Sequence, residues 1–193
     1  MRRPADARHA ILAEDDLERE RRRDPVGVEL AGCAKNAAAV AVGATEAQGL
    51  NAAGMAASDI FSEVAALAES RGGNVRTFLG RAGTGDLVAT ALAPKSRNRS
   101  AGELLSQGVP AAEIPGRLDQ AVEALETVPL LARALDSAGV RAPVTAALAR
   151  LIAGELPLDE WIRLVRAEQP EPARFRGRVR GWWRRFLAWL RRR

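Results

Sequence analysis

Apolar residues recur along this chain at helical rather than strand spacing. In residues 52–70, Ile60, Val64 and Leu67 fall at i, i+4 and i+7, one face of a helix closed by Gly72-Gly73. Before it, Val26 opens a long alanine-rich segment, VGVELAGCAKNAAAVAVGATEAQG, whose small residues suit close helix packing, with Gly49 and Asn51 as stop and restart. Residues 74–79 predict a short helix carrying Val75 and Phe78, and GRAGTGDLVAT (80–90) predicts a loop or tight turn leading into Asp86. SRNRSAGELLSQG predicts a helix closed by Gly108, followed by an irregular connection at Pro110 and Pro115. Leu118, Val122 and Leu125 continue the helical period, Pro129 is expected to break or restart it, and Leu131 and Leu135 lead to Gly139. Two short helices follow in APVTAALARLIAG and LPLDEWIRLVRAE. No stretch alternates as a strand and no fixed-period repeat is present. The pattern predicts an all-α fold, a compact bundle of about seven to nine helices.

Composition fits that picture. The 193 residues allow one domain with tails, 47% of them are hydrophobic, and Ala, Leu and Val dominate while tyrosine is absent. One cysteine (Cys33) and one histidine (His9) exclude an intrachain disulfide and a zinc site of the usual kind, so no metal is expected, and they argue against a Ser-His-Asp triad. Chemistry is left to Lys, Arg, Asp and Asn, in a reducing and therefore cytoplasmic setting. No run approaches 18 consecutive apolar residues, so no membrane-spanning helix is predicted.

Charge divides the chain. Residues 1–24 form a charged lead-in with seven basic and seven acidic groups, read as a solvated helix or frayed segment. Residues 174–193 hold nine arginines and no acid, so residues 1–173 carry 20 basic and 24 acidic groups, a net of −4. A mildly acidic body argues against nucleic acid as a partner. Of 29 basic residues only Lys35 and Lys95 are lysine, and lysine, unlike arginine, can be tuned to give up its proton.

Three places could carry chemistry. Lys35 lies in an almost wholly apolar helix, near Glu29, Gly32 and Asn36. Burial there would suit it to general acid–base work, whereas at the helix edge its ammonium would simply reach solvent. The glycines at 80, 83 and 85 do not make a dinucleotide fingerprint and fit close backbone passage; Asp86 after them reads alone as a helix cap. Lys95-Ser96-Arg97-Asn98-Arg99 at a helix start suits a phosphate, or else is an exposed basic turn with Ser96 or Asn98 as its cap.

Taken in order, DPVGVELAGCAKN, FLGRAGTGDLVAT, SRNRSAGELLSQG and QAVEALETV resemble the C-terminal, substrate-binding domain of bacterial-type NAD(P)-dependent glycerol-3-phosphate dehydrogenase, over about Asp24 to Glu168, roughly three quarters of the chain. The resemblance implies a bundle like the C-terminal domain of 6-phosphogluconate dehydrogenase over residues 25–168, and reversible oxidation of glycerol 3-phosphate to dihydroxyacetone phosphate. It implies Lys35 as the catalytic proton acceptor. Lys35, Asn36, Asp86, Ser96, Arg97 and Asn98 become substrate ligands. Arg97, Ala121 and Glu123 become contacts to NAD or NADP. A homodimer is a further expectation. The chain departs from the family in having no GxGxxG dinucleotide domain, in Ala124 where glycine is usual after the glutamate, and in Thr84 where an aliphatic residue is usual. A methyl at 124 would crowd the cofactor if the backbone there needs a positive φ. A fragment of a longer enzyme and a stand-alone domain both remain open, and little or no turnover is expected of this chain alone.

The basic Trp/Arg tail, residues 169–193, lies outside the resemblance. Trp182, Trp183, Phe186, Leu187 and Leu190 fall on one helical stripe, an amphipathic cationic helix suited to the inner membrane face or an acidic partner. The competing reading makes the body a catalytically silent binding module recruited by this tail, and in the plainest reading the stripe packs on the chain's own body.

Overall fold

The structure is a computed structural model that describes residues 23–93 and 96–167. The expectations for residues 1–22, Lys95 and the tail helix lie outside the described residues.

The described elements are all helical: α1 (Pro25–Thr45), α2 (Leu50–Ser70), α3 (Val75–Leu79), α4 (Asp86–Leu92), α5 (Arg97–Ser106), α6 (Ile114–Leu118), α7 (Glu123–Ser137), α8 (Pro143–Ile152) and α9 (Leu158–Ala167). Two 3-10 turns, Glu46–Gln48 and Ala111–Glu113, and a π-helical turn, Arg81–Gly85, join them.

α1 is the central pillar. Pro25 occupies its first turn and Asp24 caps it, accepting from the Gly27 N–H at 2.8 Å. The same carboxylate accepts from the Asn74 N–H and the Thr77 hydroxyl, tying the start of α1 to the start of α3. The alanine run explains what packs around α1. Ala31, Ala34, Ala37, Ala38, Val40 and Ala41 are wholly buried, chiefly against α2 and α5. With side chains this small, backbones meet. A Cβ on Gly43 would lie 2.0 Å from the Arg99 carbonyl oxygen, and one on Gly102 would lie 2.0 Å from that of Val40. Asn36, Val40 and Gly43 share one stripe of α1, and Asn98 and Gly102 one stripe of α5, so this seam runs directly into the polar end of the crossing. Arg99 secures it with a two-pronged pair to Glu46, at 2.7–3.1 Å.

By length and a mean hydropathy of 1.2 the stretch from Pro25 to Gln48 is long enough to cross a membrane, but half of it is buried inside the fold, as the core helix of a bundle would be. Across α2, Ile60, Val64 and Leu67 face the core as their spacing predicts. Phe61 and Phe78 meet edge to face at 5.1 Å, fixing α3 against α2. α7, α8 and α9 complete the core with Val128, Leu135, Val144, Leu148, Trp161 and Val165.

Three expectations are corrected. Of the loop or tight turn expected over residues 80–90, Arg81–Gly85 is a π-helical turn, closed by Gly85 N–H onto Gly80 and by the Thr84 hydroxyl onto the Phe78 carbonyl at 2.8 Å, and the residues from Asp86 on are helical. Gly83 is required there, since a Cβ would meet Phe78 backbone at 2.2 Å. The period through Leu118, Val122 and Leu125 is not one helix: Asp119, at φ 51°, ends α6, and Val122 is extended. Pro129 neither breaks nor restarts a helix, because α7 runs through it. Val128 and Leu131 are buried on both sides of it, and that packing outweighs the one backbone hydrogen bond proline removes.

Candidate functional site

A cleft of about 510 Å³ opens where α1, α4, α5 and the start of α7 converge, lined by Lys35, Asn36, Ala89, Thr90, Ala93, Ser96, Arg97, Asn98, Gln120 and Glu123. That size suits a small polar molecule. Lys35 enters from α1. Its ammonium donates to Asp86 Oδ2 at 2.7 Å, the lysine side chain being 22% exposed and the aspartate 45%. Asp86 is the first residue of α4 and makes no capping bond, so the π-helical turn delivers it to Lys35 rather than to its own helix. The two residues are 51 apart in sequence.

Ser96 caps α5, accepting from the Arg99 N–H, and so orients the first turn that carries Arg97 and Asn98. Asn98 is buried and donates through Nδ2 to Asn36 Oδ1 at 3.1 Å. Asn36 donates in turn through Nδ2 to Glu123 Oε2 at 3.5 Å, and Arg97 donates to Glu123 Oε1 at 2.8 Å. The carboxylate thus fixes the sense of the amide chain: it accepts only from Nδ2 of Asn36, which leaves Oδ1 to face Asn98. Asn98 Oδ1 is buried without a hydrogen-bond partner among the described residues.

Seven of the eight residues singled out in the sequence therefore meet around one cleft: Lys35, Asn36, Ser96, Arg97, Asn98 and Glu123 in its wall, and Asp86 behind Lys35. The eighth, Ala121, is exposed and outside the lining, whereas its neighbour Gln120 is inside it. Gln120 and Thr90 are additions to the sequence reading; both belong to motif segments already singled out, but without the fold nothing separates them from Ala121. The alanine at 124 does not crowd the cleft. Its backbone is helical and its methyl is buried in the core. At Cys33, two residues before Lys35, burial, and after it the charge of Glu29, pushes the thiol up from the ordinary range, away from the thiolate form. Among the described residues no group of three or more His, Cys, Asp or Glu stands ready for a metal.

Chemically, the cleft offers one amine held by a carboxylate, a guanidinium, several amide and hydroxyl donors at a helix start, and an open rim. The matches to known proteins cover the segment that carries this arrangement. The family model described as NAD-dependent glycerol-3-phosphate dehydrogenase C-terminus matches residues 24–163. The NAD(P)+ glycerol-3-phosphate dehydrogenase of Pseudomonas fluorescens is 35% identical over 150 residues, 77% of this chain and 44% of the relative. That of Frankia casuarinae is 36% identical over 152 residues, 77% of this chain and 45% of the relative. The crystal structure of glycerol-3-phosphate dehydrogenase from Coxiella burnetii superposes with a TM-score of 0.70 at 30% identity, covering 75% of this chain and 45% of that one. The chain spans a little under half the length of these relatives, and over that span it belongs to the family of the NAD-dependent glycerol-3-phosphate dehydrogenase C-terminus.

Proposed function

We propose that residues 25–168 are the substrate-binding and proton-transfer half of an NAD(P)-dependent glycerol-3-phosphate dehydrogenase, converting glycerol 3-phosphate to dihydroxyacetone phosphate and back. The observation that carries this reading is the 2.7 Å Lys35–Asp86 pair opening onto a cleft whose far wall is the Ser96-Arg97-Asn98 turn. A phosphate ester needs donors at a helix start and a forked cation, and Ser96, Arg97 and the first turn of α5 supply both. A secondary alcohol losing hydride must also lose a proton, and Lys35 is the group placed to accept it when its nitrogen is the neutral amine, becoming the ammonium, with Asp86 fixing where that nitrogen points.

NAD or NADP supplies the hydride acceptor when bound. Among the described residues, Arg97 and Glu123 stand at the rim, 42% and 58% exposed, where the outer side of such a cofactor would pass, and no strand–turn–helix cradle for its pyrophosphate is present. Their part is to bind the phosphate end of the substrate, orient its carbon-2 hydroxyl toward Lys35 and take up the proton.

Isothermal calorimetry with glycerol 3-phosphate tests the reading. Saturable binding is expected, with a loss of at least tenfold in Arg97→Ala and a smaller loss in Lys35→Ala, because the guanidinium meets the charged end while the amine meets a neutral hydroxyl. No binding by the wild-type chain, or binding indifferent to Arg97, refutes it.

A further inference from the structure

Two of the donor groups assigned above to the substrate each already give an N–H to a carboxylate. Glu123 takes both: Oε1 accepts from Arg97 at 2.8 Å and Oε2 from the Asn36 amide at 3.5 Å. Lys35 is paired with Asp86 in the same way. The two cations and two carboxylates among the described side chains of the site sum to no net charge, so an anion entering it gains little until one carboxylate yields. Asp86 is held against a lysine that is only 22% exposed, whereas Glu123 is 58% exposed, sits on the first residue of α7 and reaches across to Arg97 with its chain alone. Glu123 is the one that can leave at low cost. Its departure does not disorder what it held. Asn36 remains anchored at Oδ1 by the buried Asn98 amide, so its Nδ2 keeps its aim, and the Arg97 backbone stays fixed in the capped first turn of α5.

We propose that Glu123 is an internal competitor for the phosphoryl group: in the ligand-free chain its two oxygens occupy the donors that phosphoryl oxygens take, and it turns aside as they bind. This rests on the reading that the cleft takes a phosphate ester, and it makes Glu123 a specificity-determining residue. An uncharged polyol cannot displace a carboxylate from a guanidinium; a phosphate dianion, with more charge and more oxygens, can. The price is affinity, since each binding event must break an exposed ion pair.

The experiment is calorimetry of glycerol 3-phosphate and of inorganic phosphate on the full chain at low salt, comparing wild type with Glu123→Gln and repeating both in an Arg97→Ala background. Exposed ion pairs of this kind correspond to about a two- to fivefold factor, so Glu123→Gln is expected to bind both anions about two- to fivefold more tightly, and the gain is expected to vanish without Arg97. Damage to the fold weakens binding rather than strengthening it, and a thermal melt of Glu123→Gln checks that directly. Unchanged or weaker binding by a folded Glu123→Gln, with the wild type still binding, overturns the competitor role and leaves the proposed function standing. A gain that persists in Arg97→Ala also overturns it, as a general charge effect. Absence of binding in every variant overturns both readings.

Discussion

A carboxylate from one helix can cap another. α8 begins at Pro143 after Ala142, which has no side-chain oxygen to offer its first turn, and Glu63 from α2 fills that role: its two oxygens accept from the Val144 and Thr145 N–H groups at 2.9 and 2.8 Å, and the Thr145 hydroxyl adds a third bond. Burial pushes its carboxyl above the ordinary value despite these bonds, with Asp59 adding to the effect. The stability linked to a raised carboxyl is complete below the ordinary value near 4.5 and declines as pH climbs through the elevated one. Glu63→Gln is expected to destabilise the fold by about 1 kcal/mol, because an amide nitrogen must face one of the N–H donors, and to abolish that decline; urea denaturation at several pH values measures both. None of this was legible in the sequence. Glu63 stands 81 residues from Val144, and nothing in the spacing along α2 points to that partner. What could be read at this scale were residues whose task is local, such as Ser96 capping its own helix. Lys35 and Asp86 could each be singled out, but their meeting depends on the fold.

Helices are set here by how closely their backbones approach. The α1–α5 seam tolerates no methyl at Gly43 or Gly102, since the atoms a Cβ would strike are carbonyl oxygens of the facing helix. Gly102→Ala, which raises intrinsic helix propensity, is nevertheless expected to lower stability by about 1–3 kcal/mol through overpacking, while Gly116→Ala, in open space, serves as a control expected to cost nothing by crowding. Comparison of thermal melts decides it. The elements themselves were mostly legible, since their apolar stripes and closing glycines are local signals. The failures came where packing around an element, or a nearby backbone contact, overruled the preference of the residue itself. α7 persists through Pro129 because its flanking residues are buried, and the glycine-rich stretch coils into a π-helical turn because Thr84 and Gly83 fold back onto Phe78.

At the scale of the whole molecule, one acid links the beginning of the described chain to its middle. Burial works against the charge of Asp24, but hydrogen bonds from Thr77, Gly27 and Asn74 outweigh it and hold its carboxyl below the usual 3.8. A depressed carboxyl contributes stability that is complete above the ordinary value and fades as pH falls through the lowered one. The wild type is therefore expected to lose stability on acidification below about pH 4 more steeply than Asp24→Asn, read from guanidinium midpoints at pH 7, 4 and 3. The glycine-to-backbone contact of α1 with α5 has the widest reach. Asn36 and Asn98 lie about one helical turn from it, roughly 6 Å along each axis, so the contact acts as a fulcrum with the chemistry on a short lever. Two rods pressed together at bare backbone have no slack for the jaws they carry to widen or narrow. Adjustment to an incoming molecule falls to side chains at the mouth, and a change of one methyl at the pivot would be felt as misaligned reacting groups well before it was felt as unfolding.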